Sequence, residues 1–319
     1  MFSSLYCMRF LFAFYSANLY NIFMSKNQMI NLIAEFGCNH CGSIDLAVKM
    51  IDLIASLDVD SKIQTIKFQK RTPELVFTED VLNSPHPNLD QAFGSTYLEH
   101  RRFLEFDLEQ HRYLKSYIES KGLNYSCSVF DKESLKQILS LNPKMIKLSA
   151  VNNTDSEILK ILDSEFDGEI HISLGMTDKE EEKFIVKNLK NKFNNTVFYA
   201  CTTDYPVQVG DICLLEVQRL KQTYGNEIKG VGFSAHHIGI VQDIAALALG
   251  ATYFERHFTS DKTLKGADQF MSLDISEFAQ LAKNLRMVAE DLKFKTPDIL
   301  DSEIAHRIKH NKKQVLICQ

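Results

Sequence analysis

Short β-rich runs alternate with longer helical patterns along this chain, and that rhythm limits its fold more than any other feature. The runs fall at Asn31–Phe36, Thr65–Gln69, Tyr125–Val129, Met145–Leu148, Glu169–Leu174, Val197–Cys201, Gly230–Phe233 and Ala251–Phe254. Helical patterns follow them, from Asp107 to Lys121, Asp131 to Leu141, Asp155 to Leu162, Asp178 to Lys192, Asp211 to Tyr224, Ile238 to Leu249 and Ile275 to Leu292. The first helix has Ser43 as its N-cap and Ala47, Met50, Ile51 and Ile54 as an i, i+3, i+4, i+7 stripe. Such a chain needs parallel strands joined by right-handed crossovers, and eight units predict a (β/α)8 TIM barrel, an α/β fold. A doubly wound open sheet is the competitor. It calls for a Gly-rich phosphate turn after the first strand, and Gly37-Cys38-Asn39-His40-Cys41-Gly42 has the wrong spacing for one.

A barrel gathers its functional groups at the carboxyl ends of its strands. Those ends offer Glu35 and His40, then Lys67 and Gln69, Ser126 and Ser128, Lys147 and Ser149, Ser173, Thr202, Thr203 and Tyr205, Ser234 and His236, and His257. Lysines and hydroxyls converging on one mouth suit a phosphorylated or carboxylated substrate. The segments Gly232–His237 and Phe254–Thr259 end adjacent parallel strands. His236 or His237 therefore sits beside His257, and the two neutral imidazoles can share one divalent metal. The long stretch from Arg71 to Arg102 exceeds a plain connection and is expected to form a lid.

Composition removes several classes of function. A net charge of −5 gives no general attraction for nucleic acid. Seven cysteines, an odd number without regular spacing, suit reduced thiols and a cytoplasmic protein. Cys38-x-x-Cys41 has no second pair, and Cys127, Cys201 and Cys213 read as small core residues. Residues 1–28 are an aromatic-rich N-terminal extension, interrupted by Ser16, Asn18 and Asn21 and unsuited to spanning a membrane. Residues 29–295 make the barrel, and residues 296–319 a C-terminal tail whose basic stretch His306–Lys313 reads as a solvated helix end. Asn194-Asn195-Thr196 reads as the end of a helix.

Seven segments in order resemble the sialic acid synthase family. They are Ile33–His40, Ile66–Gln69, Ser173–Met176, Cys201–Pro206, Ser234-x-His236, Glu255–Thr259 and Lys265–Asp268. The resemblance implies a barrel that condenses phosphoenolpyruvate with an N-acylated amino-hexose to a nonulosonic acid, releasing phosphate. It implies Lys67, Ser128, Lys147, Ser173, Thr203 and Ser234 as the phosphoenolpyruvate grip, and Gln69, Tyr205 and Asp268, with Glu35, around the sugar. Glu35 would also carry a proton. His236, chosen over His237 by the Ser-x-His alignment, and His257 would be the catalytic metal ligands for Mn²⁺, with Mg²⁺ or Co²⁺ as substitutes.

The chain departs from that pattern in ways that matter. Where the family has Lys-Ile-Gly-Ser-Gly-Glu, it reads Lys147-Leu148-Ser149-Ala150-Val151-Asn152, so a phosphate-binding serine becomes Ala150 and a glutamate becomes Asn152. An amide cannot move a proton, which leaves that work to Glu35 or water. The acid between Ser234 and His236 is Ala235, and a proline after the third strand is Val129. Family members carry an antifreeze-like C-terminal domain that reaches across a homodimer to the sugar's N-acyl group, so the resemblance implies that this contact is either missing here or provided by a separate polypeptide. Two other readings stay open: a non-catalytic binding protein, and a 3-deoxy-sugar acid synthase that uses a phosphorylated aldose.

Overall fold

The computed structural model describes residues 30–57 and 64–310. Eight parallel strands close into a barrel in chain order, β1 pairing with both β2 and β8. They are β1 (Asn31–Gly37), β2 (Gln64–Lys70), β3 (Asn124–Val129), β4 (Met145–Leu148), β5 (Glu169–Ser173), β6 (Thr196–Cys201), β7 (Gly230–Ala235) and β8 (Tyr253–His257). The (β/α)8 expectation therefore holds. The N-terminal extension at residues 1–28 lies outside the described residues.

Twelve α-helices occur among the described residues: α1 (Ile44–Ala55), α2 (Pro73–Val76), α3 (Glu79–Asn83), α4 (Tyr97–Leu104), α5 (Leu108–Ser120), α6 (Lys132–Leu139), α7 (Ser156–Glu165), α8 (Lys179–Asn188), α9 (Leu215–Tyr224), α10 (Val241–Ala248), α11 (Ile275–Asp291) and α12 (Asp301–Lys309). Short polar residues start most of those that cover the barrel. Ser43 Oγ accepts from Leu46 N, and Asp131, Asp155 and Asp178 each accept from the first turn of α6, α7 and α8. Each such cap is worth about 1 kcal/mol. Asp131 also accepts from Thr72 N at 2.7 Å, which ties the exit of β2 to α6. α12 carries the first part of the basic tail, and every one of its residues retains access to solvent.

Both faces of each strand are buried, which is why the runs look almost continuously apolar. Ile66, Phe68, Ile146, Leu148, Phe198 and Phe254 point outward beneath the helices, fully or almost fully buried. Ile33, Met145, Val197, Tyr199 and Tyr253 fill the barrel floor. Tyr199 occupies that space because β7 has a glycine beside it; a Cβ on Gly232 would lie 2.4 Å from the ring. His171 is satisfied there, with Nδ1 2.7 Å from Tyr199 Oη and Nε2 3.2 Å from Glu169 Oε2.

Several boundaries differ from expectation. β8 begins at Tyr253 and includes His257: Ala251 is spent on the turn from α10, its N donating to Ala246 O, and Thr252 makes the first backbone bonds to β7 and β1, through Val231 O and Asn31 N. Asn194 and Asn195 belong to a 3-10 turn, Phe193–Asn195, and Thr196 already opens β6. Cys127 is buried, but Cys213 is exposed and Cys201 only part-buried, so neither of the latter is a plain core residue. The stretch after β2 contains three short helices, α2 to α4. Gly266 N donates to Gln91 Oε1 at 2.5 Å, joining it to the loop after β8.

Candidate functional site

Strand alternation aims Glu35, Lys67, Gln69, Ser128, Lys147, Ser173, Cys201, Ser234, Glu255 and His257 into one cavity at the carboxyl ends of the strands. The space it takes in, open solvent at its mouth included, is about 500 Å³, and the loops after the strands add Phe130, Ser149, Ala150, Val151, Thr203, Tyr205 and His236. Of the twelve residues expected at the site, eleven line it; Asp268 stands beside it, its Oδ2 3.8 Å from His257 Nδ1.

Two buried lysines form the floor. Lys67 Nζ lies 2.6 Å from Glu35 Oε2, 2.6 Å from Ser128 Oγ and 3.5 Å from Glu255 Oε1. Lys147 Nζ reaches the same Glu255 oxygen at 2.6 Å and Ser234 Oγ at 3.1 Å. Burial pulls the Lys67 ammonium down, but the Glu255 and Glu35 carboxylates outweigh it and hold its pKa above the usual value. Glu255 behaves oppositely to its neighbour. Burial pushes it up, yet Lys147 and Lys67 hold it well below the ordinary carboxylate range. Glu35 is raised, chiefly by burial and further by Glu255, while Lys67 and the 2.8 Å hydrogen bond from Gln69 Nε2 to Oε1 oppose the shift.

Glu255 was not among the expected site residues. Its signal was available: it lies two residues before His257, so a strand that aims one inward aims the other inward too. The same alternation turns Arg256 outward, where Nη1 is 2.5 Å from Asp243 Oδ2 and Nη2 donates to His237 O at 2.7 Å. His237 Nε2 lies 3.4 Å from Asp243 and 3.3 Å from Arg256, so this ring belongs to the outer network.

His236 faces the cavity instead. Its ring centroid is 5.6 Å from that of His257 and 4.3 Å from Tyr205. His236 Nδ1 lies 3.1 Å from Thr202 O, and Cys201 Sγ is 4.0 Å away. Burial lowers His257 to about 4, with Asp268 in partial opposition, so its imidazole is neutral at neutral pH. His257 Nδ1 is buried without a hydrogen-bond partner. A neutral ring with an unpaired nitrogen beside a second imidazole fits a cation held by two protein ligands and open to substrate. No group of three or more His, Cys, Asp or Glu side chains converges on a metal position among the described residues. Gly37 makes room for this corner with φ +52°; a Cβ there would lie 3.2 Å from His257 Cε1 and 3.3 Å from Gln69 Nε2.

The floor also holds unspent hydrogen-bond capacity. Ser173 Oγ and Thr203 Oγ1 are buried without a partner. Thr203 approaches because Gly175 has no Cβ, which would lie 2.3 Å from its hydroxyl. The departure at Asn152 has a local rationale. Its Nδ2 donates to Val129 O at 2.8 Å and its Oδ1 accepts from Ser149 Oγ at 3.1 Å, so the amide bridges the ends of β3 and β4. A carboxylate could not donate the first of these bonds.

The geometry agrees with what known proteins show. A family model described as the NeuB family matches residues 53–296. Human N-acetylneuraminate-9-phosphate synthase is 32% identical over 274 residues, which is 86% of this chain and 74% of that protein. N,N'-diacetyllegionaminic acid synthase of Campylobacter jejuni is 30% identical over 261 residues, 81% of this chain and 75% of that one. In structure, the N-acetylneuraminic acid synthetase of Leptospira borgpetersenii, crystallised with citrate, superposes with a TM-score of 0.71 at 26% identity, over 89% of this chain and 93% of that one. With a family model covering more than half of its length, and synthases related to it over 86% and 81% of the chain, the chain belongs to the NeuB family.

Proposed function

We propose that this protein is a metal-dependent nonulosonic acid synthase that joins phosphoenolpyruvate to an N-acylated amino-hexose aldehyde and releases phosphate. The observation that carries the reading is the cavity floor. Two buried ammonium groups, two buried hydroxyls without partners, and the Ser128 and Ser234 hydroxyls surround one space. These ammonium and hydroxyl groups converge as hydrogen-bond donors, and a small polyanion accepts from such a set. Phosphoenolpyruvate is such an anion, and the relatives' products are acids of the kind it would yield.

The sugar then belongs above that floor, against Gln69, Tyr205 and Asp268, with its aldehyde toward His236 and His257. The donor set fits Mn²⁺ or a similar divalent ion, which when bound there supplies Lewis-acid polarisation of the aldehyde oxygen. Lys67 and Lys147 fix the phosphate and carboxylate of phosphoenolpyruvate so that its C3 faces the aldehyde carbon. The C3–C1 bond forms as the aldehyde π pair moves to oxygen, which is protonated. Water adds at the cationic C2 and loses its proton, and the C2–O bond to phosphate breaks to leave a 2-keto acid. Glu35 sits between Lys67 and Gln69, where burial makes its carboxyl able to hold or pass one of those protons.

Among the described residues no helix is long and apolar enough to cross a membrane. The test is product mass. Incubation with phosphoenolpyruvate, Mn²⁺ and an acylated amino-hexose should give a nine-carbon 2-keto acid, and recovery of both substrates unchanged would contradict the proposal.

A further inference from the structure

Beneath the cavity floor the barrel interior holds a chain of polar side chains. His171 on β5 and Tyr199 on β6 are both fully buried. His171 Nε2 lies 3.2 Å from Glu169 Oε2, and a carboxylate only accepts, so Nε2 carries the proton. The ring is neutral, because burial lowers its pKa and Glu169 opposes that shift only in part. Nδ1 is then the acceptor, and Tyr199 Oη donates to it across 2.7 Å. Glu169 anchors the far end of the chain. Its Oε1 pairs with Lys229 Nζ at 3.0 Å, and its Oε2 accepts from Tyr253 Oη at 3.3 Å. Burial raises Glu169, but the hydrogen bond from His171 and the Lys229 ammonium bring it down to about 2.

The near end of the chain meets the site. Lys147 is the register partner of His171 on β4, and its Nζ lies 4.5 Å from the centroid of the Tyr199 ring. An ammonium has three N–H groups to place. Glu255 Oε1 receives one at 2.6 Å, Ser234 Oγ one at 3.1 Å, and the Tyr199 ring face stands to the third. Glu255 also serves Lys67, and Ser234 Oγ also donates to Glu255 at 3.2 Å, whereas the ring serves Lys147. Two apolar side chains would fill the space of His171 and Tyr199 with no polar groups left to satisfy. The histidine–phenol pair instead fixes the plane of the ring, and donation from Oη toward His171 enriches the π face that the ammonium meets.

We propose that Tyr199 is the positioning residue of Lys147, its ring set by the hydroxyl bond to His171, so that the grip on phosphoenolpyruvate depends on a polar chain running from Glu169 through the barrel interior. This inference rests on the synthase reading. It adds a residue outside the cavity lining that sets affinity for one substrate and not for the other.

The experiment measures kcat and both Michaelis constants for Tyr199→Leu and Tyr199→Phe, with Mn²⁺ saturating. The second substrate is N-acetylmannosamine or a diacetamido-trideoxyhexose, whichever the wild type turns over. Tyr199→Leu removes the ring and should raise KM for phosphoenolpyruvate about tenfold. Tyr199→Phe keeps the ring but leaves His171 Nδ1 without its donor, and should raise that KM about threefold. In both variants kcat and KM for the sugar should stay within about twofold of wild type, a split that a general loosening of the barrel would not give. An unchanged KM for phosphoenolpyruvate in folded Tyr199→Leu overturns the proposal, as does an equal rise in both Michaelis constants. Either result, with an active wild type, leaves the synthase reading intact. If Tyr199→Leu does not fold, Tyr199→Phe decides alone, and an unchanged KM for phosphoenolpyruvate overturns the proposal. If the wild type turns over no sugar, the synthase reading fails, and calorimetry with phosphoenolpyruvate decides the positioning role by itself. Weaker binding by Tyr199→Phe than by wild type supports that role, and equal binding, or none by either, overturns it.

Discussion

Lys147 Nζ and Glu255 Oε1 are 2.6 Å apart in the barrel interior, with side chains 4% and 6% exposed. The same oxygen faces Lys67 at 3.5 Å, so one carboxylate serves two ammonium groups. Glu255→Gln keeps the shape and removes the charge, leaving both lysines short of a counterion. Loss of one member of a buried ion pair costs roughly 3–5 kcal/mol, so the variant should unfold at markedly lower urea concentration. An unchanged urea midpoint would show that Glu255 does not compensate these lysines in solution.

The two cavity-side imidazoles should be separable from the third. His257→Ala is expected to abolish Mn²⁺ binding and turnover together. His237→Ala should keep the metal stoichiometry, because His237 is bonded to Arg256 and Asp243 on the outer side of the barrel. Metal content by atomic emission checks both, and an intact site in His257→Ala would refute the two-histidine assignment.

Gly37 is predicted to be intolerant of even one methyl group. Ala at φ +52° is strained, and its Cβ would press on His257 Cε1 and Gln69 Nε2. Gly37→Ala should lose roughly 1–2 kcal/mol of stability and about tenfold in Mn²⁺ affinity. Denaturant titration and metal titration measure the two effects, and a variant with wild-type metal affinity would count against this placement of His257.

Two buried histidines away from the cavity set an acid limit. His40 stacks on Phe106 at 4.0 Å and accepts from Gly42 N at 3.1 Å, and burial lowers it to about 3. His111 is 2.9 Å from Tyr125 Oη, and burial lowers it likewise to about 3. Both folded pKa values lie below that of the unfolded chain, so the unfolded state binds more protons across this window. Stability is full above about pH 6.5 and falls as pH drops from there toward 3. Melting temperature against pH measures the slope, and His111→Asn should flatten it.

Much of this was legible before the structure. The alternation of runs predicted the barrel, because strands buried on both faces keep their apolar signature and Asp or Ser caps mark the helix starts. Both floor lysines and both cavity histidines lay at strand ends in the sequence. Glu255 was missed because a carboxylate in a strand suggests a surface until its counterions are known, and Lys67 and Lys147 lie on other strands. Asn152 looked like a lost acid, whereas its amide bonds to Val129 O depend on the spacing of β3 and β4, which a linear chain does not display. The start of β8 was misplaced by two residues because Ala251 and Thr252 are buried like strand residues, although Ala251 bonds back to α10 through Ala246 O.

The most direct measurement of the central claim is phosphate release from phosphoenolpyruvate by metal-stripped protein, with and without restored Mn²⁺ and an acylated amino-hexose. The account predicts release only when both are present, at a rate proportional to enzyme. Release without the sugar, or none from folded protein that has taken up its metal, would contradict it.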